Sequence, residues 1–274
     1  MLQAAAKLTL LIALGTAAYS QEVLNPSISK RRNYLGFSLI PSFSEKAKIE
    51  GDKDKYDLNS HSRFGLESLV QYHINFAKKY SLIVGVGGNV FTTCFHYYIP
   101  KEMFDPPTES DIATGGGHRF GFTFSGPTSV KVQAELLRRW RHNSAHNWNV
   151  SAGLSVLASL NGGGGQSWRV IEYPNGQTKQ YVTFTENINN YEKPWMNYHI
   201  SGGHEWVLKS KDIFQVNLKV NMSPADPLTV NYLFTTGVQP DLSGTFKSSG
   251  SYIGLSIAYI DTWVTFRVKN KSQK

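Results

Sequence analysis

From Asn33 onward the chain switches between apolar and polar positions with a period of two, as an extended strand does when its faces meet different surroundings. Eight segments carry the pattern. In 33–43, Leu35, Phe37 and Leu39 alternate with Gly36 and Ser38. In 63–75, Phe64, Leu66, Val70, Tyr72 and Ile74 oppose Gly65, Glu67, Gln71, His73 and Asn75. Residues 80–91 set Leu82, Val84, Val86 and Val90 against Ser81, Gly85, Gly87 and Asn89. In 129–140, Val130, Val132, Ala134 and Leu136 alternate with Lys131, Gln133, Glu135 and Leu137. In 148–160, Trp148, Val150, Ala152, Leu154 and Val156 oppose Asn149, Ser151, Gly153 and Ser155. Residues 195–208 place Met196, Tyr198, Ile200 and Trp206 opposite Asn197, His199, Ser201, Gly203 and Glu205. In 213–221, Phe214, Val216, Leu218 and Val220 face away from Gln215, Asn217, Lys219 and Asn221. The last segment, 251–270, sets Ile253, Leu255, Ile257 and Tyr259 against Gly254, Ser256 and Ala258, and its alternation changes phase at Asp261.

Eight such strands also suit a soluble sandwich or a lipocalin-like barrel. The connections separate the cases. Long polar linkers (44–62, 92–128, 161–194 and 222–250) alternate strictly with short ones (76–79, 141–147 and 209–212). An eight-stranded antiparallel up-and-down transmembrane β-barrel, with long extracellular loops and short periplasmic turns, has this spacing. Aromatic residues flank every short turn: Tyr72 and Tyr80, Trp140 and Trp148, Trp206 and Phe214. With Tyr259 they read as an interfacial girdle, because amphipathic rings favour the boundary between membrane and water. The face opposite the apolar one holds Gly, Ser, Asn, Gln and His, with Glu67, Lys131, Glu135 and Lys219 among them. That is a poor soluble core but a suitable lumen, where charges are free to pair. Closure would satisfy every backbone group within hydrocarbon.

Residues 1–20 carry one Lys, an apolar run from Leu8 to Leu14, and Ala18 and Ser20 before the expected cut; they read as a signal peptide. The run is too short to span a bilayer. The barrel domain is then 21–274. Glycine (24 residues) and aromatics (14 Tyr, 15 Phe, 6 Trp) are abundant at a mean hydropathy of −0.30, a composition of strands and turns. Cys94 is the only cysteine, so no intramolecular disulfide forms. The isoelectric point near 9.4 raises nucleic-acid binding, but the charges are scattered and mixed, as in EKAKIEGDKDK at 45–55, and no phosphate-tracking stripe appears.

The leader ending AYSQ, the eight segments and the closing GSYIGLSIAY resemble the small outer-membrane β-barrel family of Gram-negative bacteria, in particular the Bacteroidota forms, and the OmpX and OmpA transmembrane barrels in architecture. The resemblance covers nearly all of 21–274 and rests on pattern. It implies a multi-pass barrel in the cell outer membrane, surrounded by lipid and lipopolysaccharide and inserted by the barrel assembly machinery. No peptidoglycan-binding domain follows the barrel segments, so that tethering role is not implied. Family members finish on an aromatic residue, whereas fifteen residues follow Tyr259 here.

A barrel of eight strands has an interior just wide enough for side chains to fill, which disfavours a wide pore and moves function to the loops. In the third loop, 167–185 reads as a hairpin turning at Pro174-Asn175-Gly176, and 228–234 in the fourth reads as a further sheet extension. These predict a structural or interaction protein that binds a protein or glycan partner through its long loops, as an accessory subunit of an outer-membrane secretion or uptake complex in one version. A narrow small-solute channel is the alternative. A second alternative is an esterase acting on lipid A: His199 and Ser201 share the inner face, similar to the His-x-Ser of lipid A deacylases. Glu205 lies about 13 Å beyond Ser201 along the strand, so Glu135 or Glu67 would have to orient His199. Gly202 stands where that group carries Asn, and a lumen-lining polar pair is the commoner meaning. GGGHRFG (115–121) and NGGGG (161–165) lack the helix and Lys of a phosphate loop, MFDPPTESD (103–111) reads as a solvated loop, and the eight His show no metal-ligand spacing. No cofactor is implied. The phase change at Asp261 has two readings, a β-bulge near Ile260 and Asp261 that returns Val264, Phe266 and Val268 to the lipid face, or a strand ending there with a periplasmic tail.

Overall fold

The computed structural model describes residues 33–51, 57–77, 79–99, 118–125, 128–143, 145–160, 166–172, 178–187, 193–235 and 241–262. The expected leader, the 103–111 loop, the Pro174-Asn175-Gly176 turn and the stretch from Val264 to Val268 lie outside them. Among the described residues sixteen strands follow in chain order: β1 (Asn33–Ser44), β2 (Lys48–Gly51), β3 (Asn59–Ser62), β4 (Phe64–Ala77), β5 (Tyr80–Val90), β6 (Thr92–Ile99), β7 (His118–Ser125) and β8 (Ser129–Arg141). The second half continues with β9 (His146–Ser159), β10 (Gln166–Glu172), β11 (Thr178–Asn187), β12 (Trp195–Val207), β13 (Ile213–Met222), β14 (Leu228–Phe234), β15 (Leu242–Ser248) and β16 (Tyr252–Asp261).

Eight of them close into an antiparallel barrel in the order β1-β16-β13-β12-β9-β8-β5-β4. These are the eight strands expected from the alternation. Burial follows the same period of two: in β16 the odd-numbered Ile253, Leu255, Ile257 and Tyr259 are exposed while Tyr252, Gly254, Ser256, Ala258 and Ile260 are buried. Closure leaves no barrel strand with an unpaired edge. β16 pairs with β1 in constant register from Tyr252 to Asp261, so the seam contains no bulge up to that residue. Thr262 then donates its backbone N–H to Asp212 at 3.2 Å, which fastens the end of the closing strand to the turn before β13.

The described parts of the long connections form strands of their own. They supply a five-stranded sheet, β10-β11-β14-β15-β2, and a three-stranded sheet, β3-β6-β7. β10 and β11, on either side of the expected turn, and β14 over 228–234 take the extended form expected, and β11 pairs with both β10 and β14. A second hydrophobic core joins the two sheets, built from Leu58, Phe91, Phe95 and Tyr97 on one side and Val230, Tyr232, Phe234 and Phe246 on the other. Phe95 meets Phe246 edge-on at 5.3 Å and Tyr97 meets Phe234 at 5.1 Å, geometries worth about 1 kcal/mol each beyond area burial. Gly244 pairs with Tyr232 across the strands, and a Cβ there would run into the Tyr232 hydroxyl and the Glu50 carbonyl. The close approach of β2 to β15 requires that missing side chain. The result is a small β-sandwich head at the rim where the barrel strands are joined by long connections.

Candidate functional site: packed lumen and folded head

The barrel exterior is an apolar band. Phe37, Val70, Val86, Val132, Leu136 and Leu218 are each about half exposed or more. A continuous belt of this kind is unsuited to water. The lumen is the opposite, and it is filled. Towards the head, Glu67 accepts hydrogen bonds from Lys131 Nζ at 2.7 Å, Lys219 Nζ at 3.1 Å and the Tyr252 hydroxyl at 2.7 Å. All four side chains are buried. Lys219 also donates to Gln133 Oε1 at 3.3 Å. The charges expected in the lumen are therefore there, and three of the four form one cluster.

The fourth, Glu135, meets His199 instead, Oε2 to Nε2 at 3.1 Å. Backbone register explains the contact. β9 separates β8 from β12, and Gly153 is the residue paired with both Glu135 and His199. With no side chain at Gly153 the two groups reach each other across the intervening strand; a Cβ there would lie 2.7 Å from His199 Nε2. Ser201 Oγ is 2.6 Å from Ser151 Oγ and accepts from Asn217 Nδ2 at 3.4 Å. Its hydrogen bonds do not include His199. Ser201 and His199 thus share a face without forming a base–nucleophile pair, and both sit inside the barrel, away from the lipid-suited surface.

Sequence reasoning set Glu205 and Gln215 on the polar face but missed Arg139 and the contacts among the three. Arg139 Nε donates to both carboxylate oxygens of Glu205, at 3.0 and 2.8 Å, and Gln215 Nε2 donates to the same carboxylate at 3.2 Å. The inner face is also less uniformly polar than expected. Tyr34, Ile213 and Ile260 form an apolar layer at the short-turn end, and Ile40, Leu69 and Tyr252 another towards the head. The Glu67 cluster lies at the level of the second group, where Ile40 pairs with Glu67 and Tyr252 belongs to both. These apolar residues occupy the polar register of their strands because a lumen this narrow is packed by side chains, and volume decides there as much as polarity.

At the short-turn rim the expected girdle faces outward and is extended by residues not foreseen. Trp140, Trp148 and His204 are successive cross-strand partners, as are His146, Trp206, Phe214 and Tyr259 in the next row. Phe76, expected in a turn, stacks on Tyr80 at 6.3 Å. Tyr72 lies further up β4, opposite Val84 and Leu35. In the head, the outward row Thr185, Asn231, Thr245 and Glu50 crosses four paired strands. Thr183, Thr185, Asn231, Leu233, Ser243 and Thr245 border a shallow depression of about 560 Å³. Lys247 Nζ donates to Glu50 Oε2 at 2.6 Å, and this hydrogen bond holds the ammonium pKa above its ordinary value.

No family model matches the sequence, and a search of curated proteins finds no match. Among solved structures the chain is similar to Neisserial surface protein A, with a TM-score of 0.37 and 8% identity over 82% of this chain and 95% of that one. It is similar to the outer membrane protein OprG of Pseudomonas aeruginosa, with a TM-score of 0.39 and 8% identity over 84% and 96%. Ail, the attachment invasion locus protein of Yersinia pestis, gives 0.21 and 10% over 83% and 98%. The barrel assignment stands on the closed order of the strand ladders.

Proposed function

We propose that the chain is an outer-membrane barrel in which the packed lumen is a support and the sandwich head, held outside the cell, binds a protein or glycan partner. The apolar belt and the expected leader favour insertion in the bacterial outer membrane, with the short turns in the periplasm. The observation that carries the binding role is the second core of Phe95, Tyr97, Tyr232, Phe234 and Phe246. Loops that merely shield a barrel mouth need no buried aromatic cluster, whereas a surface that must hold its shape for a partner does. The outward row of Thr, Asn and Ser groups on β11, β14 and β15 is the face we assign to contact.

The test removes 167–185 while following the mobility of unboiled and boiled protein, which reports barrel folding. A barrel that still folds but loses its surface binding and phenotype supports the reading; unchanged binding and phenotype refute it. Planar-bilayer recording of the intact protein is expected to show no discrete conductance steps. A gentle-detergent pull-down would show whether the partner belongs to a larger secretion or uptake complex. Lipid A from cells carrying wild type and Ser201→Ala is expected to have the same mass.

A further inference from the structure

The sandwich head turns one face of its five-stranded sheet outward, and the depression on that face has a uniform chemistry. Cross-strand register sets Thr183, Leu233 and Ser243 in one row and Thr185, Asn231 and Thr245 in the next. Thr185, Asn231, Leu233 and Ser243 are exposed, and Thr183 and Thr245 are half-buried. Thr245 Oγ1 donates to Asn231 Oδ1 at 3.1 Å, which fixes the amide, and the described residues give Asn231 Nδ2 no partner. No charged side chain is among the described lining. The charges of this face stand beside it: Glu50 lies beyond Thr245 in its row and is paired with Lys247 at 2.6 Å, and Lys48 is the cross-strand partner of Lys247 one row further on. Tyr232, which also borders the depression, is buried, and no arginine is among the described lining.

We propose that this depression on β11, β14 and β15 is a binding site for an uncharged oligosaccharide. The inference rests on the reading of the head as a binding surface and commits it to one of the two partner classes. Each lining hydroxyl both donates and accepts, and the Asn231 amide does the same through its two atoms. A sugar hydroxyl has the same double role, so such a wall meets it without leaving a donor facing a donor. Leu233, 39% exposed among these polar groups, is where the C–H face of a sugar ring would rest. The two rows are roughly 7 Å apart along each strand and neighbouring strands about 4.8 Å apart, a grid on the scale of a sugar ring and its neighbour. The volume of about 560 Å³ falls within the range of small-ligand sites. A protein interface is centred on aromatic and arginine anchors and is poor in Ser, the reverse of this lining. An acidic sugar needs a cation to meet its carboxylate or sulfate, and Lys247 is already engaged by Glu50.

Full-length protein refolded in detergent would be applied to an array of neutral oligosaccharides, built from hexoses and N-acetylhexosamines, beside acidic ones carrying uronic acid, sialic acid or sulfate. The retained sugar would then be titrated by calorimetry. The wild type is expected to retain neutral sugars and to show no preference for acidic ones. Asn231→Ala should weaken that binding about tenfold, the scale of one lost hydrogen bond. Leu233→Ala and Thr185→Val should each weaken it several-fold, and Lys247→Gln should leave it unchanged. None of these side chains is buried, and boiled and unboiled mobility with protease resistance checks barrel and head in each variant. An array that retains no sugar, or retention unmoved by Asn231→Ala, Leu233→Ala and Thr185→Val alike, overturns the site. A preference for acidic sugars that falls with Lys247→Gln overturns the uncharged ligand. Loss of surface binding on removing 167–185, with no sugar retained by the intact protein, assigns the face to a protein partner and overturns this inference alone. Surface binding untouched by that deletion overturns the reading of the head, and the sugar site with it.

Discussion

Replacing Glu67 by Gln should be among the most damaging conservative changes in the barrel. The carboxylate is buried and holds two ammonium groups, at 2.7 and 3.1 Å, together with the Tyr252 hydroxyl. At an effective dielectric near 20, unit charges at those separations attract by about 5–6 kcal/mol each. Much of that is cancelled by the desolvation of three charged groups. A neutral amide removes the attraction and leaves the desolvation of Lys131 and Lys219 in place, and breaking a buried pair in this way typically costs about 3–5 kcal/mol. Lys131→Met should cost less, because Glu67 keeps Lys219 and Tyr252. The combination Glu67→Leu, Lys131→Met and Lys219→Met should recover most of the loss, since no uncompensated charge remains. The assay is urea unfolding of the refolded protein in phosphatidylcholine vesicles, followed by tryptophan fluorescence. With an m-value of about 2 kcal/mol/M, the midpoint for Glu67→Gln falls by roughly 2 M. A midpoint within 0.3 M of wild type, roughly 0.6 kcal/mol on that slope, would show that the lysines do not depend on Glu67 and refute the cluster.

Gly153→Ala should separate His199 from Glu135 and strain β9 against the Ala134 carbonyl, at about 1–3 kcal/mol, read as a lower urea midpoint. Phe95→Ala removes the ring shared by Tyr97, Tyr232 and Phe246 and should cost the head about 3–5 kcal/mol; limited proteolysis should then cut the long connections while the unboiled barrel keeps its mobility. Asp212 is buried in a turn, which raises its pKa, but hydrogen bonds from Ser210, Tyr259 and Thr262 outweigh burial and hold it below the ordinary carboxylate range. A depressed folded pKa means stability that is present above about pH 4 and lost as pH falls through the folded value, so Asp212→Asn should flatten the acid limb of the stability curve.

The strand faces were legible because the two sides of the barrel differ so sharply: one residue in two lies on the apolar exterior, and Leu255 or Val132 meets that demand whatever lies across the lumen. What crosses the lumen was not legible. Glu67 and Lys219 are 152 residues apart in sequence, and their meeting depends on the stagger of eight strands rather than on any local pattern. The Glu135–His199 contact was half legible: distance along β12 excluded Glu205, but choosing Glu135 over Glu67 required knowing that Gly153 stands between the two in register. The outer rim shows the same limit, since Arg138 and His204 look like interruptions of an apolar face until Tyr80, Trp140 and Trp148 are placed beside them. In the head, the hairpin and LTVNYLF were visible as alternation, while Phe95 and Tyr97 sit in TTCFHYYI, where aromatic residues occupy both registers and no period separates them.

Charge in the lumen is paired, and the pairing bears on conduction. In the lumen, Glu67, Glu135 and Glu205 are matched by Lys131, Lys219 and Arg139, with His199 completing the contact to Glu135. A conducting path needs mobile ions or water to replace some of these contacts, and each carboxylate is held by protein donors, with apolar groups at Tyr34, Ile213 and Ile260 and at Ile40, Leu69 and Tyr252 packed into the same lumen. Opening the lumen therefore requires breaking a buried ion cluster as well as moving side chains, which costs several kcal/mol and leaves a rigid support as the economical use of the barrel. If that is so, Glu67→Gln, which loosens the Glu67 cluster, should be the substitution that first admits current: conductance steps in planar bilayers absent from wild type and present in Glu67→Gln would tie the closed lumen to this cluster, whereas equal silence in a folded, inserted variant would assign it to the apolar groups instead.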